Sequence, residues 1–253
     1  MDNHVHWITD TLVHPYVFIK ETDPNVRTIA VISQKGGVGK TTLTINLAAA
    51  AQLRSKSGVV IADTDPQAST YLWYQPRIET HPLPYVVFLH PAALPDLMEK
   101  ARGQGADYLF IDTPPNSSEQ TLATAELADL IIVPCEPSYV DIRAIQRTAK
   151  IVTMANKPTF AVLNKCPARG SEAMEAREAL SLLGFSHFLP DIVSRAAARR
   201  AYAFNKTILE FEPKGQSAQE IKHAFKAIEK HFKAADTAQT HSRTALWQET
   251  QTA

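Results

Sequence analysis

The sequence predicts an α/β fold, a mostly parallel twisted sheet flanked by helices, and three observations predict it. Short apolar runs rich in Val and Ile alternate with longer segments of helical periodicity along most of the 253 residues. The short runs are apolar almost throughout, as expected for strands buried on both faces of a sheet. Several runs end in polar residues, and open sheets of this kind bind ligands at the carboxyl ends of their strands.

The individual elements follow from these patterns in chain order. Strands are predicted at 28–33, 59–63, 85–89, 108–112, 130–133, 159–163 and 208–211. Helices are predicted from apolar residues at helical spacing at 40–53, 92–102, 118–128, 140–154, 172–183, 195–204 and 218–232. The polar residues that close the strands are therefore expected to converge on one crevice: Gln34, Lys35, Asp63, Asp112 and Asn164.

The chain is predicted to hold one domain with two short flanking segments. Residues 1–26 form an N-terminal arm that carries three irregularly spaced histidines, and residues 27–233 form the domain. Residues 234–253 are rich in Thr, Gln and Ala, which is typical of a flexible C-terminal tail. The formal net charge is zero, so any attraction to nucleic acid must come from a local patch.

Cysteine usage and hydropathy exclude several classes of protein. Cys135 and Cys166 lie in unrelated segments without metal-ligand spacing, so neither a disulfide framework nor a metal knuckle is indicated. No apolar run approaches the ~20 residues that a membrane-spanning helix needs. A cytoplasmic location is expected.

The segment 35–42 reads Lys-Gly-Gly-Val-Gly-Lys-Thr-Thr and indicates a phosphate-binding loop. It follows a predicted strand and begins a predicted helix, whose dipole favours an anion at that point. Its glycines let successive N–H groups turn inward around a phosphate. The nucleotide-binding set is thus Lys35, Gly36, Gly37, Val38, Gly39, Lys40, Thr41 and Thr42.

Two lysines of this loop have different expected roles. Lys40 is expected to reach the β- and γ-phosphates, and the Thr41 hydroxyl beside it to bind Mg²⁺. Lys35 is an extra cation, near the position where the usual motif begins with glycine. A second cation beside the phosphates suggests an active site that part of another subunit completes.

Acidic residues close the next strands. Asp63 and Asp65, spaced by two at a strand tip, point the same way along the pleat. Asp63 is predicted to hold the water shell of the metal, and Asp65 to orient the attacking water. Asp112 ends an apolar strand and precedes Pro114-Pro115, the pattern of a carboxylate that contacts Mg²⁺.

Taken together, residues 35–42, 63–67 and 111–115 closely resemble the ParA/MinD group of deviant Walker A ATPases. The resemblance continues through 72–73, 133–138, 163–165 and 211–215, covers about residues 27–233, and is greatest to the small ParA proteins that partition plasmids. It implies a P-loop NTPase fold of the deviant Walker A (SIMIBI) type, with weak ATPase activity dependent on Mg²⁺ and ATP. It also implies that Lys35 contacts the nucleotide of the other protomer in an ATP-bound homodimer. Asp65 is then needed for hydrolysis, and Asn164 lies beside the adenine.

In that family the ATP-bound dimer binds DNA without sequence preference, and a centromere-binding adaptor of the ParB type stimulates hydrolysis. The resemblance therefore implies a nucleoid-associated protein that segregates plasmids or chromosomes. Residues 195–233 hold nine Lys or Arg against four Glu, which is compatible with such binding. The candidate DNA contacts are Arg195, Arg199 and Arg200 on one helix and Lys222, Lys226 and Lys230 on the last.

Other functions stay open as alternatives. An ATPase of this family could position a protein cargo, such as a secretion or chemoreceptor cluster. A MinD-like membrane cycle would need large apolar residues near the C-terminus, where only Leu246 and Trp247 occur. Electron transfer of the nitrogenase iron protein type would need a second cysteine near Cys135. A scaffold that binds nucleotide without hydrolysis is disfavoured by the intact Lys40, Asp65 and Asp112.

Overall fold

A computed structural model describes the backbone of residues 26–251 and the side chains of 26–138 and 141–238. The predicted fold class is confirmed: six strands form one sheet in the order β3-β2-β4-β1-β5-β6, and each pair is parallel. The strands are β1 (Arg27–Val31), β2 (Val59–Asp63), β3 (Tyr85–Phe88), β4 (Tyr108–Asp112), β5 (Leu130–Cys135) and β6 (Thr159–Leu163).

Helices join the strands and cover both faces of the sheet. They are α1 (Lys40–Gln52), α2 (Ser69–Tyr74), α3 (Leu94–Gly103), α4 (Ser118–Leu127), α5 (Tyr139–Ala155), α6 (Glu172–Leu182), α7 (Ala196–Ala203), α8 (Ile208–Phe211) and α9 (Gln216–Gln251). Short 3-10 turns at Gln75–Arg77 and Pro91–Ala93 follow α2 and precede α3. No helix in the described part of the chain is long and apolar enough to cross a membrane.

Side chains alternate between the two faces of each strand, and each face has its own core. Ile29 and Val31 of β1 point to the layer that contains α1 and α9, whereas Ala30 and Ile32 point to the layer of α3 to α6. The predicted apolar stripe of the last helix is buried: Ile221, Phe225, Ile228 and Phe232. Each such side chain contributes about 1.5–3 kcal/mol by leaving water, so this stripe fixes α9 on the sheet.

The prediction of a strand at 208–211 is wrong, because this segment forms the short helix α8. Thr207 precedes it as the N-cap: its hydroxyl accepts a hydrogen bond from the backbone N–H of Glu210, and Glu210 accepts one from the N–H of Thr207. This capping box satisfies two backbone donors at the helix start and overrides the strand-like apolar residues. The buried Ile208 and Leu209 pack in the core as helical residues.

The predicted end segments stay predictions. Helix α9 continues to Gln251, through the positions of the predicted flexible tail at 234–253. Neither Gly nor Pro occurs between 216 and 251, so nothing in the sequence ends the helix after residue 232. The N-terminal arm, residues 1–26, lies outside the described residues apart from Val26.

The sheet order brings the candidate site residues to one edge. β4 lies between β1 and β2, with Asp112 opposite Val31 on one side and opposite Asp63 on the other. The chain leaves β1 directly into the predicted phosphate loop. The carboxyl ends of these central strands therefore place both carboxylates beside that loop.

Candidate nucleotide-binding site

The loop between β1 and α1 has the tight curvature that its glycines predict. Gly37 and Gly39 have φ angles of 80° and 91°, in the left-handed region that favours glycine. At Gly39 a Cβ atom would also lie 2.3 Å from the Nδ2 of Asn164. That amide donates a hydrogen bond of 2.8 Å to the carbonyl of Val38. Asn164 at the end of β6 thus fixes the loop from the side.

Lys40 begins α1 and extends its side chain back into the curl of the loop. Its Nζ donates to the carbonyl of Lys35 at 3.3 Å, and only 7% of the residue is exposed. Burial lowers the pKa of Lys40, while the charges of Asp112 and Asp65 raise it. Lys40 forms no ion pair with the carboxylates of the described residues. A buried cation of this kind at the N-terminus of a helix is suited to an anionic phosphate.

The fully buried carboxylate of Asp112 is the centre of the metal end of the site. Its Oδ2 accepts hydrogen bonds of 2.7 Å from the hydroxyls of both Thr41 and Thr70. Its Oδ1 is buried and has no hydrogen-bond partner among the described residues. Burial raises the pKa of Asp112 to about 6, partly offset by the two hydroxyls and by Lys40.

These residues fit Mg²⁺. A buried carboxylate oxygen without a partner is costly unless a cation or donor satisfies it, and Mg²⁺ prefers oxygen ligands such as this one and a hydroxyl. Thr41 and Asp112 are therefore the residues that would hold the ion.

Asp63 is also fully buried, but both of its oxygens have backbone donors. Oδ1 accepts from the N–H of Asp65 at 3.1 Å, and Oδ2 accepts from the N–H of Tyr71 at 2.9 Å. Burial, and after it the charge of the nearby Asp112, raise the pKa of Asp63 to about 7. In this arrangement Asp63 holds the loop that carries Asp65. Its role in the water shell of the metal stays a prediction.

Asp65 lies in the turn that precedes α2, and its side chain is partly exposed. Its Oδ1 accepts from the backbone N–H of Gln67 at 2.9 Å. Its charge acts on Lys40, which places it on the phosphate side of the loop. This position suits a group that meets a water molecule, and the catalytic role of Asp65 stays a prediction.

Lys35 points away from the loop that it begins. Its Nζ forms an ion pair with Asp141, in the first turn of α5. Asp141 also accepts a hydrogen bond from the hydroxyl of Ser138, the N-cap of that helix. Lys35 would have to leave this carboxylate to contact a nucleotide.

Lys165 is a residue that the sequence analysis missed. Its Nζ donates to the carbonyl of Gly37 in the phosphate loop and forms an ion pair of 2.6 Å with Glu136. Together with Asn164 it connects the end of β6 to two successive parts of the loop. The available signal was its position directly after Asn164 at a strand end.

A cavity of about 370 Å³ opens beside the phosphate loop. It is bordered by Gly39, Asn164 and Lys165 on the loop side. On the other side it is lined by the segment 192–195 and by Arg199 and Tyr202 of α7. Its walls are mainly apolar, as expected for a pocket that receives a planar base. The segment before α7 was not predicted to belong to the site.

Some of the candidate DNA contacts are bonded within the chain, and others are exposed to solvent. Arg195 forms an ion pair of 2.7 Å with Glu220, and Lys222 donates to the carbonyl of Pro213 at 3.0 Å. The guanidinium of Arg200 lies 5.6 Å from the centre of the Phe211 ring. The exposed members are Arg199, Arg200, Lys226 and Lys230. The structure therefore does not bring the six residues together as one uniform patch.

The two cysteines are buried thiols. Burial raises the pKa of Cys135 and of Cys166 to about 12. Both are therefore protonated at neutral pH.

Comparisons with known proteins agree with a nucleotide-binding site. A family model described as the CobQ/CobB/MinD/ParA nucleotide binding domain matches residues 29–209, more than half of the chain. The maintenance of carboxysome distribution protein A of Gloeobacter kilaueensis is 30% identical over 205 residues, covering 80% of this chain and 92% of that protein. The chromosome-partitioning ATPase Soj of Thermus thermophilus is 33% identical over 147 residues, covering 47% of this chain and 59% of that protein.

The fold has solved counterparts as well. The structure of Cyanothece apo McdA aligns with a TM-score of 0.67 at 16% identity, covering 81% of this chain and 100% of that one. At this identity the likeness shows the fold alone.

Proposed function

The chain belongs to the CobQ/CobB/MinD/ParA family of nucleotide-binding domains, and we propose that it is a weak ATPase that dimerises with bound ATP and binds DNA in that state. One observation carries the ATPase proposal. Asp112 Oδ1 is buried without a hydrogen-bond partner among the described residues, and Thr41 at the start of α1 donates to Oδ2 of the same carboxylate. Together with the buried Lys40, it completes a site with places for both a metal ion and phosphates.

The chain's own residues account for hydrolysis as phosphoryl transfer to water. Mg²⁺, held by Thr41 and Asp112, would neutralise charge on the phosphates. Lys40 neutralises the γ-phosphate, and Asp65 orients the water whose oxygen forms the new bond to phosphorus. The bond between the γ-phosphorus and the bridging oxygen breaks, and ADP and inorganic phosphate leave.

Lys35 supports the dimer part of the proposal. In the single chain its ammonium group is held by Asp141, outside the phosphate loop. Its side chain is partly exposed, so it can leave this carboxylate without opening the core. In the proposed dimer Lys35 contacts the nucleotide of the partner subunit, and hydrolysis requires both subunits.

DNA binding is proposed for the exposed basic residues of α7 and α9. Lys226 and Lys230 are four residues apart on α9 and lie on one exposed face. Arg199 and Arg200 lie on α7, and Arg199 also lines the cavity beside the loop. Lysine and arginine contacts to phosphates require no base sequence and weaken with salt. This binding would place the protein on the nucleoid.

For the cargo we propose a protein assembly that the ATPase distributes along DNA. The support is the carboxysome distribution relative, which is similar along 80% of this chain. A second candidate is segregation of a plasmid or chromosome with a ParB-type centromere-binding adaptor. The support there is Soj, which is 33% identical but covers 47% of this chain.

Phosphate release tests the ATPase proposal. The purified chain should release phosphate from Mg²⁺–ATP slowly, and faster with DNA and its adaptor. Asp65→Asn should retain nucleotide binding and lose the stimulated rate. Nucleotide binding with no turnover under any of these conditions would favour the non-hydrolysing scaffold instead.

Deletion of the gene separates the two cargo candidates. A protein cargo predicts that fluorescently labelled protein assemblies cluster or are inherited unevenly while plasmid retention stays normal. The plasmid candidate predicts an increased rate of plasmid loss with unchanged assemblies.

A further inference from the structure

Helix α2 is tied directly to the carboxylates of the nucleotide site. The hydroxyl of Thr70 donates to Asp112 Oδ2 at 2.7 Å, the same oxygen that accepts from Thr41. The backbone N–H of Tyr71 donates to Asp63 at 2.9 Å. A change at either carboxylate therefore acts on the first turn of α2.

The same turn of α2 is also bonded to α7. The hydroxyl of Tyr202 donates to the carbonyl of Ser69 at 3.1 Å. Tyr202 stands two residues after Arg200 and three after Arg199, the exposed basic residues of α7. Its phenol lies within electrostatic reach of the site: burial raises its pKa, and the charges of Asp112 and Asp63 raise it further.

A second connection joins the end of α2 to the end of α7. The guanidinium of Arg77 lies 4.3 Å from the centre of the Trp73 ring of α2. It donates to the carbonyl of Asn205, which follows α7, and to Glu210 at 2.7 and 2.9 Å. Arg77 is only 3% exposed, so this connection is rigid. It gives α7 a fixed point at its C-terminal end.

The two connections differ in strength. The Arg77 connection is buried and has several bonds, whereas Tyr202 is 37% exposed and makes one hydrogen bond to Ser69. Both connections reach the C-terminal end of α7, because Tyr202 is the seventh of its eight residues and Asn205 follows the helix. Of the two, the Tyr202 bond lies on α7 itself, within one turn of Arg199 and Arg200, whereas Arg77 bonds Asn205 beyond the helix.

We propose that α2 couples the metal-binding end of the nucleotide site to the basic helix α7, with Tyr202 as the positioning residue of this link. The inference rests on the proposed nucleotide site and deepens it. Binding of Mg²⁺ by Thr41 and Asp112 would change the hydrogen bonds that Asp112 accepts, including that from Thr70. The shift of α2 then moves Ser69, Tyr202 and the arginines beside it, so that DNA binding depends on the nucleotide.

Hydrogen–deuterium exchange on the full chain tests this coupling. Exchange at α7 would be compared without ligand and with Mg²⁺ plus a non-hydrolysable ATP analogue, in the wild type and in Tyr202→Phe. The substitution keeps the ring that lines the cavity and removes only the hydroxyl. In the wild type both the phosphate loop and α7 should respond to the nucleotide. In Tyr202→Phe the response of α7 should fall to less than half while the loop still responds.

Tyr74→Phe is the matched control. It also removes a hydroxyl of this region, one that donates to the carbonyl of Pro82 at 2.9 Å. Its α7 response should equal that of the wild type. Thermal unfolding of both variants separates the link from a simple loss of stability, because each loses one tyrosine hydrogen bond.

The affinity for a random DNA duplex gives a second measurement. Coupling through one link is typically worth about a 3- to 30-fold change, so Tyr202→Phe should weaken DNA binding by about that factor when the nucleotide is saturating for each protein. An equal α7 response in Tyr202→Phe and the wild type would overturn the link. A wild-type loop response without any α7 response would overturn it too. If even the loop fails to respond, the proposed nucleotide site is overturned together with this inference.

Discussion

The strand-end site and the basic helices present their charges in opposite ways. The strand-end site consists of the loop 35–42 with Asp63, Asp65 and Asp112, and the basic helices are α7 and α9. In the first, Lys40, Asp63 and Asp112 are buried, and each makes hydrogen bonds within the chain. In the second, some charges are exposed and others are used within the chain, as Arg195 is by Glu220. Burial of a charge requires a specific partner, whereas an exposed charge requires only water.

The largest effect is expected for Lys35→Ala. Because Lys35 is proposed to contact the partner's nucleotide, as a residue supplied in trans does, stimulated hydrolysis should fall by ~10³-fold or more. Nucleotide binding should persist, whereas Lys40→Ala should lose it as well. Phosphate release and equilibrium nucleotide binding measure these two effects.

Lys56→Ala is a suitable control for this pair, since Lys56 is exposed away from the loop. Near-normal stimulated turnover in Lys35→Ala would contradict the shared site and leave Lys40 as the one lysine of the loop that matters.

DNA binding sharpens the comparison on the side of the basic helices. Lys226→Ala with Lys230→Ala removes exposed cations, so the slope of log affinity against log salt should decrease by about two. Affinity should fall equally for duplexes of any sequence. Lys222→Ala should have a smaller effect, because its ammonium group is bonded to Pro213. Fluorescence anisotropy across a salt series measures each slope.

Lys100→Ala serves as the control, because this exposed lysine lies on α3, on the opposite face of the sheet. An unchanged slope in the double variant would exclude α9 as the DNA contact.

Asp63→Asn should stabilise the ligand-free protein at high pH. Burial raises the pKa of Asp63 to about 7, so its charge opposes folding fully above that pH. The opposition disappears as the pH falls towards the ordinary value of about 4, because the carboxyl is then protonated in both states. The variant should gain about 1–3 kcal/mol of unfolding free energy at pH 8, a gain that shrinks by pH 5.

Urea unfolding in magnesium-free buffer measures this difference. Glu99→Gln, an exposed carboxylate on α3, is the control and should change stability by less than about 0.5 kcal/mol. If the difference in unfolding free energy between Asp63→Asn and the wild type did not change with pH, the destabilising effect of the buried Asp63 charge would be contradicted.

The smallest effect is expected for Thr207→Ala, which removes the N-cap of α8 beside the basic helix α7. Loss of this cap should cost about 1 kcal/mol of unfolding free energy. Thr153→Ala is the matched control, since its hydroxyl bonds only the carbonyl of Ala149 within α5. Equal urea midpoints for the two variants would contradict the capping role.

The sequence predicted the strand-end site better than the basic helices for a physical reason. Gly39, Lys40 and Asp112 occupy positions where burial and backbone geometry permit few residue types. The residue type at each position therefore predicts the local structure. The charge row on α9 carries no such restriction. Lys222 and Lys226 look alike in sequence, but Lys222 is bonded to the Pro213 carbonyl whereas Lys226 is exposed.

Most strands and helices were also predictable, because the spacing of apolar residues indicates which face of each element is buried. The segment 208–211 was not predictable in this way, because its helix depends on two hydrogen bonds between side chains and backbone N–H groups of Thr207 and Glu210. The ion pair of Lys35 with Asp141 was beyond prediction as well, because it joins residues 106 positions apart.

The hydrogen bond of the Asn164 amide affects how tightly a nucleotide can bind. Because it binds the Val38 carbonyl from the end of β6, this contact holds the loop in place without a nucleotide. The conformational entropy of ordering the loop is then lost before binding, which leaves more of the contact energy for affinity. A larger residue at Gly39 would displace this amide first. Asn164 and Lys165 thus hold the phosphate loop from the end of β6.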